Sequence, residues 1–208
     1  MLTNPLTLEL EHLPQVASVH LRAFPESALT RLGHEAVRRY YEWQLLGPHD
    51  HDFAGIWDQE KLLGYIVAGR SRGALSGFVA KNKWYLVARL AVNPQLVFTG
   101  KVRKAMGSAL SSLRRIRTQA AASGDGGSDR RTSYGILAIA VDPFCQGKGV
   151  GLQLMQHCEK IAREEGFPRM HLSVSVNNAR AIRFYESLGW KRTPIDGVWT
   201  GQMEKLLS

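Results

Sequence analysis

Cysteine is scarce in this chain, and long apolar runs are missing from it. Only Cys145 and Cys158 occur among 208 residues, too few for the disulfide framework of a small secreted domain. No stretch approaches the roughly 18 consecutive apolar residues that a bilayer-spanning helix needs. The opening stretch, MLTNPLTLELEHLP, lacks a basic region followed by an apolar core, which argues against a secretory signal. We therefore expect a cytoplasmic protein.

Acidic residues are nearly absent from one part of the chain. Between Arg70 and Arg131 there are thirteen lysines and arginines, but only Asp125 and Asp129 oppose them. This region accounts for the formal net charge of +9, which favours an anionic partner: a phosphorylated cofactor, a nucleic acid or a membrane surface. The overall composition, 44% hydrophobic and 22% charged, is that of a globular protein, and the length suits a single domain over residues 1–208.

Hydrophobic periodicity in the first part of the chain predicts alternating strands and helices. Leu6–Leu10 alternates as a strand, and a helical face runs from Leu13 to Phe24. A second helix is expected within Leu29–Leu46. Asp52–Trp57 and Leu62–Gly69 then flank a polar turn and predict two antiparallel strands.

The last part of the chain repeats this alternation more clearly. Gly135–Val141 is a strand pattern, and Leu152–Gly166 follows it as an amphipathic helix. Met170–Val176 alternates as another strand, and Ala179–Gly189 is a helix that an asparagine could cap. Trp190–Leu206 predicts a terminal hairpin.

Residues 70–117 predict a basic helical insertion after the third strand, and residues 118–131 predict a flexible linker. The insertion could simply cover one side of the sheet with a solvated charged face. It could also approach anionic lipid, or help form a pocket for an acidic acceptor. Its apolar stripe consists of Val102, Met106, Ala109, Leu110, Leu113 and Ile116.

A glycine-rich loop, QGKGVG at residues 146–151, lies between the strand ending at Val141 and the helix that follows. Glycine lets the backbone approach a ligand closely, and the start of a helix offers unpaired N–H groups and a partial positive charge. The loop is therefore an expected phosphate site. It fits neither the dinucleotide fingerprint nor the P-loop pattern.

Two motifs in this order give the chain a family resemblance. Gln146, Gly149 and Gly151 match Q/R-x-x-G-x-G/A. The second motif, N-x-x-A-x-x-x-Y-x-x-x-G-[FW], is matched by Asn178, Ala181, Tyr185, Gly189 and Trp190. Together they resemble the GNAT superfamily of acyl-CoA N-acyltransferases. The resemblance implies an α/β fold with a mixed, twisted sheet of six or seven strands flanked by helices.

The resemblance also implies a cofactor, acetyl-CoA, and a site for it. The strand backbone would pair with the pantetheine arm, the loop amides would bind the diphosphate, and Lys148 would add a charge. Tyr185 would protonate the departing thiolate as the catalytic acid. The residues implied to bind the cofactor are Ile139, Ala140, Val141, Gln146, Gly147, Lys148, Gly149, Val150, Gly151, Asn178 and Tyr185.

The reaction implied is the direct transfer of an acetyl group to a primary amine of a small molecule in a ternary complex, without a metal. No covalent intermediate is needed, so Cys145 has no assigned role. Tyr134-Gly135-Ile136 stands where many GNAT sequences offer a glutamate base. The remaining candidates for the general base are Asp142, Glu26, His34 and Glu35, or a water relay.

Several alternatives stay open. The acceptor could be an amino sugar, nucleotide-linked or lipid-linked, because the long basic segment is similar to GNAT proteins linked with surface polysaccharide synthesis. The chain could instead be a non-catalytic acyl-CoA sensor, or a nucleic-acid-binding protein, although no nucleic-acid module is present. His49–Asp52 could suggest a metal, but a solvated loop is the simpler interpretation. An exposed apolar stripe would allow a homodimer.

Overall fold

A seven-stranded mixed sheet organises the chain, with the strand order β1-β2-β3-β4-β5-β7-β6. The computed structural model describes residues 3–70, 74–92, 133–194 and 196–207. Strands β4 and β5 are parallel, and the other neighbours are antiparallel. The strands are β1 Leu6–Thr7, β2 Asp50–Asp58, β3 Lys61–Arg70, β4 Ser133–Val141, β5 Arg169–Ser173, β6 Lys191–Arg192 and β7 Gln202–Leu206.

Helices cover both faces of this sheet. They are α1 Leu13–Ala23, α2 Ala28–Arg31, α3 His34–Leu46, α4 Ala74–Lys81, α5 Lys83–Val92, α6 Val150–Glu164 and α7 Ala179–Ser187. Alternate residues of β3 enter two separate cores: Tyr65 and Val67 pack with α1 and α3, while Ile66 and Ala68 pack with α6. The period-2 alternation of a strand divides its side chains in this way. The predicted fold class is confirmed.

Some expected boundaries were wrong. The strand predicted for Leu6–Leu10 ends at Thr7, because a 3₁₀ turn begins at Leu10. The helical segment within Leu29–Leu46 is two helices, since Gly33 has φ of +94°, a left-handed conformation that a helix cannot contain.

The loop expected at His49–Asp52 was also wrong, because β2 begins at Asp50. The polar residues fit the strand since Asp50 pairs with Arg70 in register and the Asp52 carboxylate accepts a hydrogen bond from the Tyr134 hydroxyl. The polar character of this stretch therefore reflects a strand end with its own partners.

The insertion after the third strand begins with α4 and α5, which confirms its helical character over residues 74–92. Arg70, expected at its start, is the last residue of β3. The stripe from Val102 to Ile116 and the linker 118–131 lie outside the described residues. Over the described ranges, no helix is long and apolar enough to cross a membrane.

Specific contacts hold α4 against α3, and α5 against the turn that precedes α3. Gly77 of α4 lies so close to the Trp43 indole that a Cβ there would overlap the ring. The Phe78 and Tyr40 rings meet edge to face at 5.4 Å. In α5, the Arg89 Nε donates to the Leu32 carbonyl at 3.0 Å. These contacts fix α5 beside the space described next.

Candidate active site

Strands β4 and β5 separate at a bulge in β4. Their parallel pairing ends at Ile136 and Leu172. On the other side of β4, the register with β3 skips Leu137, since Ala68 pairs with Ile136 but Val67 pairs with Ala138. A bulge of this kind bends and twists a strand. Beyond it, β4 continues on β3 alone, and a cleft opens between β4 and β5.

The loop at the end of β4 is shaped by one carboxylate and two glycines. Asp142 accepts a hydrogen bond from the Phe144 amide at 3.1 Å, which starts the turn at the end of the strand. Gly147 and Gly149 have φ of +81° and +83°, and α6 begins directly afterwards at Val150. A Cβ on either glycine would meet nothing within 4 Å. The start of α6 is therefore open to an anion.

A cavity of about 510 Å³ extends from this loop into the cleft. It brings together most of the residues implied by the sequence: Ile139, Ala140, Val141, Gln146, Gly147, Gly149, Gly151, Asn178 and Tyr185. Lys148 is exposed beside it, and the Val150 side chain points into the core against Gly64. Any contribution of Val150 to binding must therefore come from its backbone amide.

Asn178 and Tyr185 are positioned by α7. The Asn178 Oδ1 accepts a hydrogen bond from the Ala181 amide at 3.1 Å and so caps the helix. Tyr185 lies two turns further along and is only 8% exposed. Burial raises the pKa of Tyr185 to about 12, so the phenol keeps its proton at neutral pH. A neutral phenol is what a proton donor to a thiolate requires.

A second cavity, of about 730 Å³, adjoins the first. We call the two the loop cavity and the inner cavity. Phe24, Ile139, Asn178, Ala181 and Tyr185 border both. A group bound at this junction is within reach of ligands in either cavity.

A buried polar cluster that the sequence did not reveal borders the inner cavity. The His20 Nδ1 lies 2.9 Å from the Tyr41 hydroxyl and 3.1 Å from the Tyr65 hydroxyl. Its Nε2 lies 3.3 Å from the Ser27 Oγ. Burial lowers the pKa of His20 to about 4, so the imidazole is neutral at pH 7. The feature of the sequence that could have indicated this cluster is His20, a lone histidine on the apolar face of α1.

The four expected general bases border neither cavity. Asp142 is 1% exposed and pairs with Arg22, whose Nη2 lies 2.7 Å from its Oδ2. Hydrogen bonds from Arg38 and Arg39 lower the pKa of Glu35 to about 2. This pairing makes the Glu35 carboxylate a poor base.

Glu26 and His34 are also engaged elsewhere. Glu26 pairs with Arg31 at 2.8 Å, and the His34 Nε2 lies 3.1 Å from the Pro14 carbonyl oxygen. No group of three or more metal-ligating side chains occurs in the part of the chain that is described.

Comparison with known proteins agrees with this geometry. Residues 119–190 match the model of the acetyltransferase (GNAT) family. A mycothiol acetyltransferase of Nocardiopsis dassonvillei is 37% identical over 82 residues, 39% of this chain and 25% of that protein. The Escherichia coli K12 enzyme [ribosomal protein bS18]-alanine N-acetyltransferase is 40% identical over 60 residues, 29% of this chain and 40% of that protein.

Among solved structures, PaiA N-acetyltransferase of Thermoplasma acidophilum, in complex with coenzyme A, superposes with a TM-score of 0.58. It is 14% identical, and the match covers 99% of each chain. Residues 119–190 thus match the GNAT acetyltransferase family, and the chain has the fold of PaiA N-acetyltransferase. The matches to the two curated relatives span less than half of their length.

Proposed function

We propose that this chain transfers an acetyl group from acetyl-CoA to a primary amine of a small molecule by direct attack in a ternary complex. The observation that carries the proposal is the cleft between β4 and β5, which runs from the open glycine loop to Tyr185. The match of residues 119–190 to GNAT acetyltransferases supports it.

In the proposed complex, the amides of Gly147, Gly149 and Gly151 bind the diphosphate, and Lys148 adds its charge. The pantetheine arm lies along Ile139–Val141, whose β5-facing side carries no strand partner in the described chain. This binding mode places the thioester at the junction of the two cavities.

The chemical step needs one bond made and one broken. The amine nitrogen bonds to the thioester carbonyl carbon, the C–S bond breaks, and Tyr185 gives its proton to the sulfur. The Val141 amide is proposed to polarise the carbonyl. The amine loses its proton to water. Holding both substrates in register supplies much of the rate.

The test measures release of the CoA thiol from acetyl-CoA against amino sugars, polyamines, amino acids, alkyl amines and peptides, together with CoA binding by calorimetry. We expect CoA to bind and at least one amine to raise thiol release well above the rate without an acceptor. CoA binding with only slow, amine-independent hydrolysis would contradict the transferase and favour an acyl-CoA sensor.

Finer proposals concern the acceptor and the surroundings. Several predictions remain: an amino-sugar acceptor, and a lipid-linked substrate or anionic membrane reached through residues 70–117. A cytoplasmic location, a homodimer and a single domain are predictions as well. Trp84 is 75% exposed and directly follows Lys83, with Lys81 one turn earlier, a combination typical of an interfacial helix. Sedimentation with vesicles containing 30% phosphatidylserine, compared with neutral vesicles, tests the membrane proposal; equal retention on both would contradict it.

A further inference from the structure

The inner cavity is walled by apolar side chains from five helices, from Phe24 at the end of α1 and from both strands of the cleft. The helical contributions include Phe24, Leu29, Tyr40, Leu86, Val87 and Leu90. Its volume of about 730 Å³ far exceeds the needs of an acetyl group and falls within the usual range for a small-molecule site.

Three of the polar side chains at this cavity, His20, Ser27 and Tyr41, are occupied within their own cluster, while Ser173, Ser175 and Asn178 also border it. His20 hydrogen-bonds Tyr41, Tyr65 and Ser27, and the Tyr41 and Tyr65 hydroxyls lie 2.6 Å apart. A ligand with many hydroxyls would therefore leave several of them without partners, at a free-energy cost for each.

Charge is sparse there as well. Among the described residues that border the inner cavity, Lys83 is the only one with a full charge at neutral pH, and no carboxylate is present. A polyamine would find nothing to neutralise its additional positive charges.

Helix α5 gives this cavity a wall of its own. Leu86, Val87 and Leu90 lie on one stripe of the helix, spaced as a helical face requires. The Arg89 hydrogen bond to Leu32 and the Arg39 guanidinium, 4.5 Å from the Tyr85 ring centre, hold the helix in place. The family match at 119–190 does not include α1–α5, so this wall lies outside the matched residues.

We infer that the acceptor is a primary amine with an apolar body, such as an alkyl or arylalkyl amine, bound in the inner cavity against α5. The inference rests on the proposed function and gives its substrate class. The amine nitrogen lies at the junction near Tyr185, and the body extends toward Leu86 and Leu90. Apolar surroundings favour the uncharged form of an amine, which is the nucleophilic form. This site therefore needs no carboxylate base.

The experiment measures binding to the CoA-loaded protein by calorimetry for butylamine, hexylamine, octylamine and glucosamine. Affinity is expected to rise about fourfold per added methylene, because each buried methylene contributes about 0.8 kcal/mol. Glucosamine is expected to bind at least about tenfold more weakly than octylamine. Thiol release is measured separately, so absence of turnover with every amine would overturn the proposed function without deciding the binding result.

Affinity independent of alkyl length, or glucosamine binding as tightly as octylamine, would overturn the inference. The inference would also be overturned if acyl-CoA binding tightened from butyryl-CoA to octanoyl-CoA while amine binding did not tighten with alkyl length. In that case the acyl group, and not the amine body, would occupy the cavity.

Two positions on α5 provide a matched pair of variants. Val87 borders the cavity and is 56% exposed, whereas Val92 is 77% exposed on the same helix and does not border it. Val87→Glu is expected to weaken octylamine binding by about tenfold or more, because it places a carboxylate in the apolar wall. Val92→Glu should leave it unchanged, and both should bind CoA normally. Equal effects of the two variants would contradict the inference.

A third variant keeps the wall apolar but narrows the space. Val87→Phe is expected to move the preference from octylamine to shorter amines while the melting temperature and CoA affinity stay near those of the parent protein. An unchanged preference would overturn the placement of the amine body against α5.

Discussion

The Arg22 guanidinium forms an ion pair with the Asp142 carboxylate, with its Nε 2.9 Å and its Nη2 2.7 Å from Oδ2. This ion pair joins α1 to the end of β4. Asp142 is 1% exposed, and its other oxygen holds the Phe144 amide. The pair thus links the helix that borders the inner cavity to the loop expected to bind phosphate.

Arg22→Leu should lower the free energy of unfolding by about 2 kcal/mol, because it leaves a buried carboxylate without its cation. The loss stays below that for a fully buried pair because the Arg22 side chain is 41% exposed. Urea unfolding at pH 7 measures it. Lys160→Leu is the control, since Lys160 and Glu164 are 73% and 63% exposed and their pairing should contribute less than about 1 kcal/mol. Equal losses would contradict this account.

Gly149→Val should weaken CoA binding by about a hundredfold or more, roughly 3 kcal/mol, because its side chain would fill the space of the diphosphate. Gly166→Val is the control at the other end of α6. Gly166 has φ of +75° and a Cβ there would also meet nothing within 4 Å. Both variants carry a similar backbone strain of about 1–2 kcal/mol. If calorimetry gave the two variants the same CoA affinity, the phosphate site would lie elsewhere.

Tyr185→Phe should reduce turnover about a hundredfold and leave CoA affinity unchanged, because the variant keeps the ring but has no proton to give the thiolate. Steady-state thiol release and calorimetry measure the two effects. Tyr85→Phe, which removes a hydroxyl from α5 at a position bordering neither cavity, should be neutral. Full turnover in Tyr185→Phe would show that water protonates the sulfur instead.

Stability should fall as the pH is lowered from about 6.5 to about 4. Burial lowers the pKa of His20 from 6.5 to about 4, and the pKa of His51 likewise. Within this window the unfolded chain binds protons that the folded chain does not, so each histidine can remove up to about 1.4 kcal/mol per pH unit. His20→Gln should give a flatter dependence of the urea midpoint on pH. A slope as steep as that of the parent protein would show that His20 does not contribute to the pH dependence of stability.

The loop and α7 could be predicted because their chemistry depends on local spacing. Gly147, Gly149 and the distance from Asn178 to Tyr185 are set within single turns and helices, where sequence and geometry correspond closely. The strand periodicity likewise predicted β2, β3, β4 and β5 to within a few residues.

The bulge, the His20 cluster and the inner cavity could not be predicted, because they depend on contacts that sequence spacing does not encode. The bulge at Leu137 arises from register with β3, and nothing in Gly135–Val141 distinguishes that residue. The His20 cluster joins side chains up to 45 positions apart. The inner cavity exists because Gly77 lets α4 pack on α3 and Arg89 holds α5 against Leu32, so its apolar character could not be read from the basic composition of the segment.

The bulge at Leu137 also has a consequence for the protein's lifetime. Beyond it, one side of β4 has no neighbouring strand among the described residues, and an open strand edge invites pairing with other chains or attack by proteases. A pantetheine arm bound as proposed would fill this gap as a removable eighth strand. Coenzyme at a hundred times its Kd would add about 2.7 kcal/mol of stability. In cells with little coenzyme, the protein would then be less abundant because it is degraded faster, and not because less of it is synthesised.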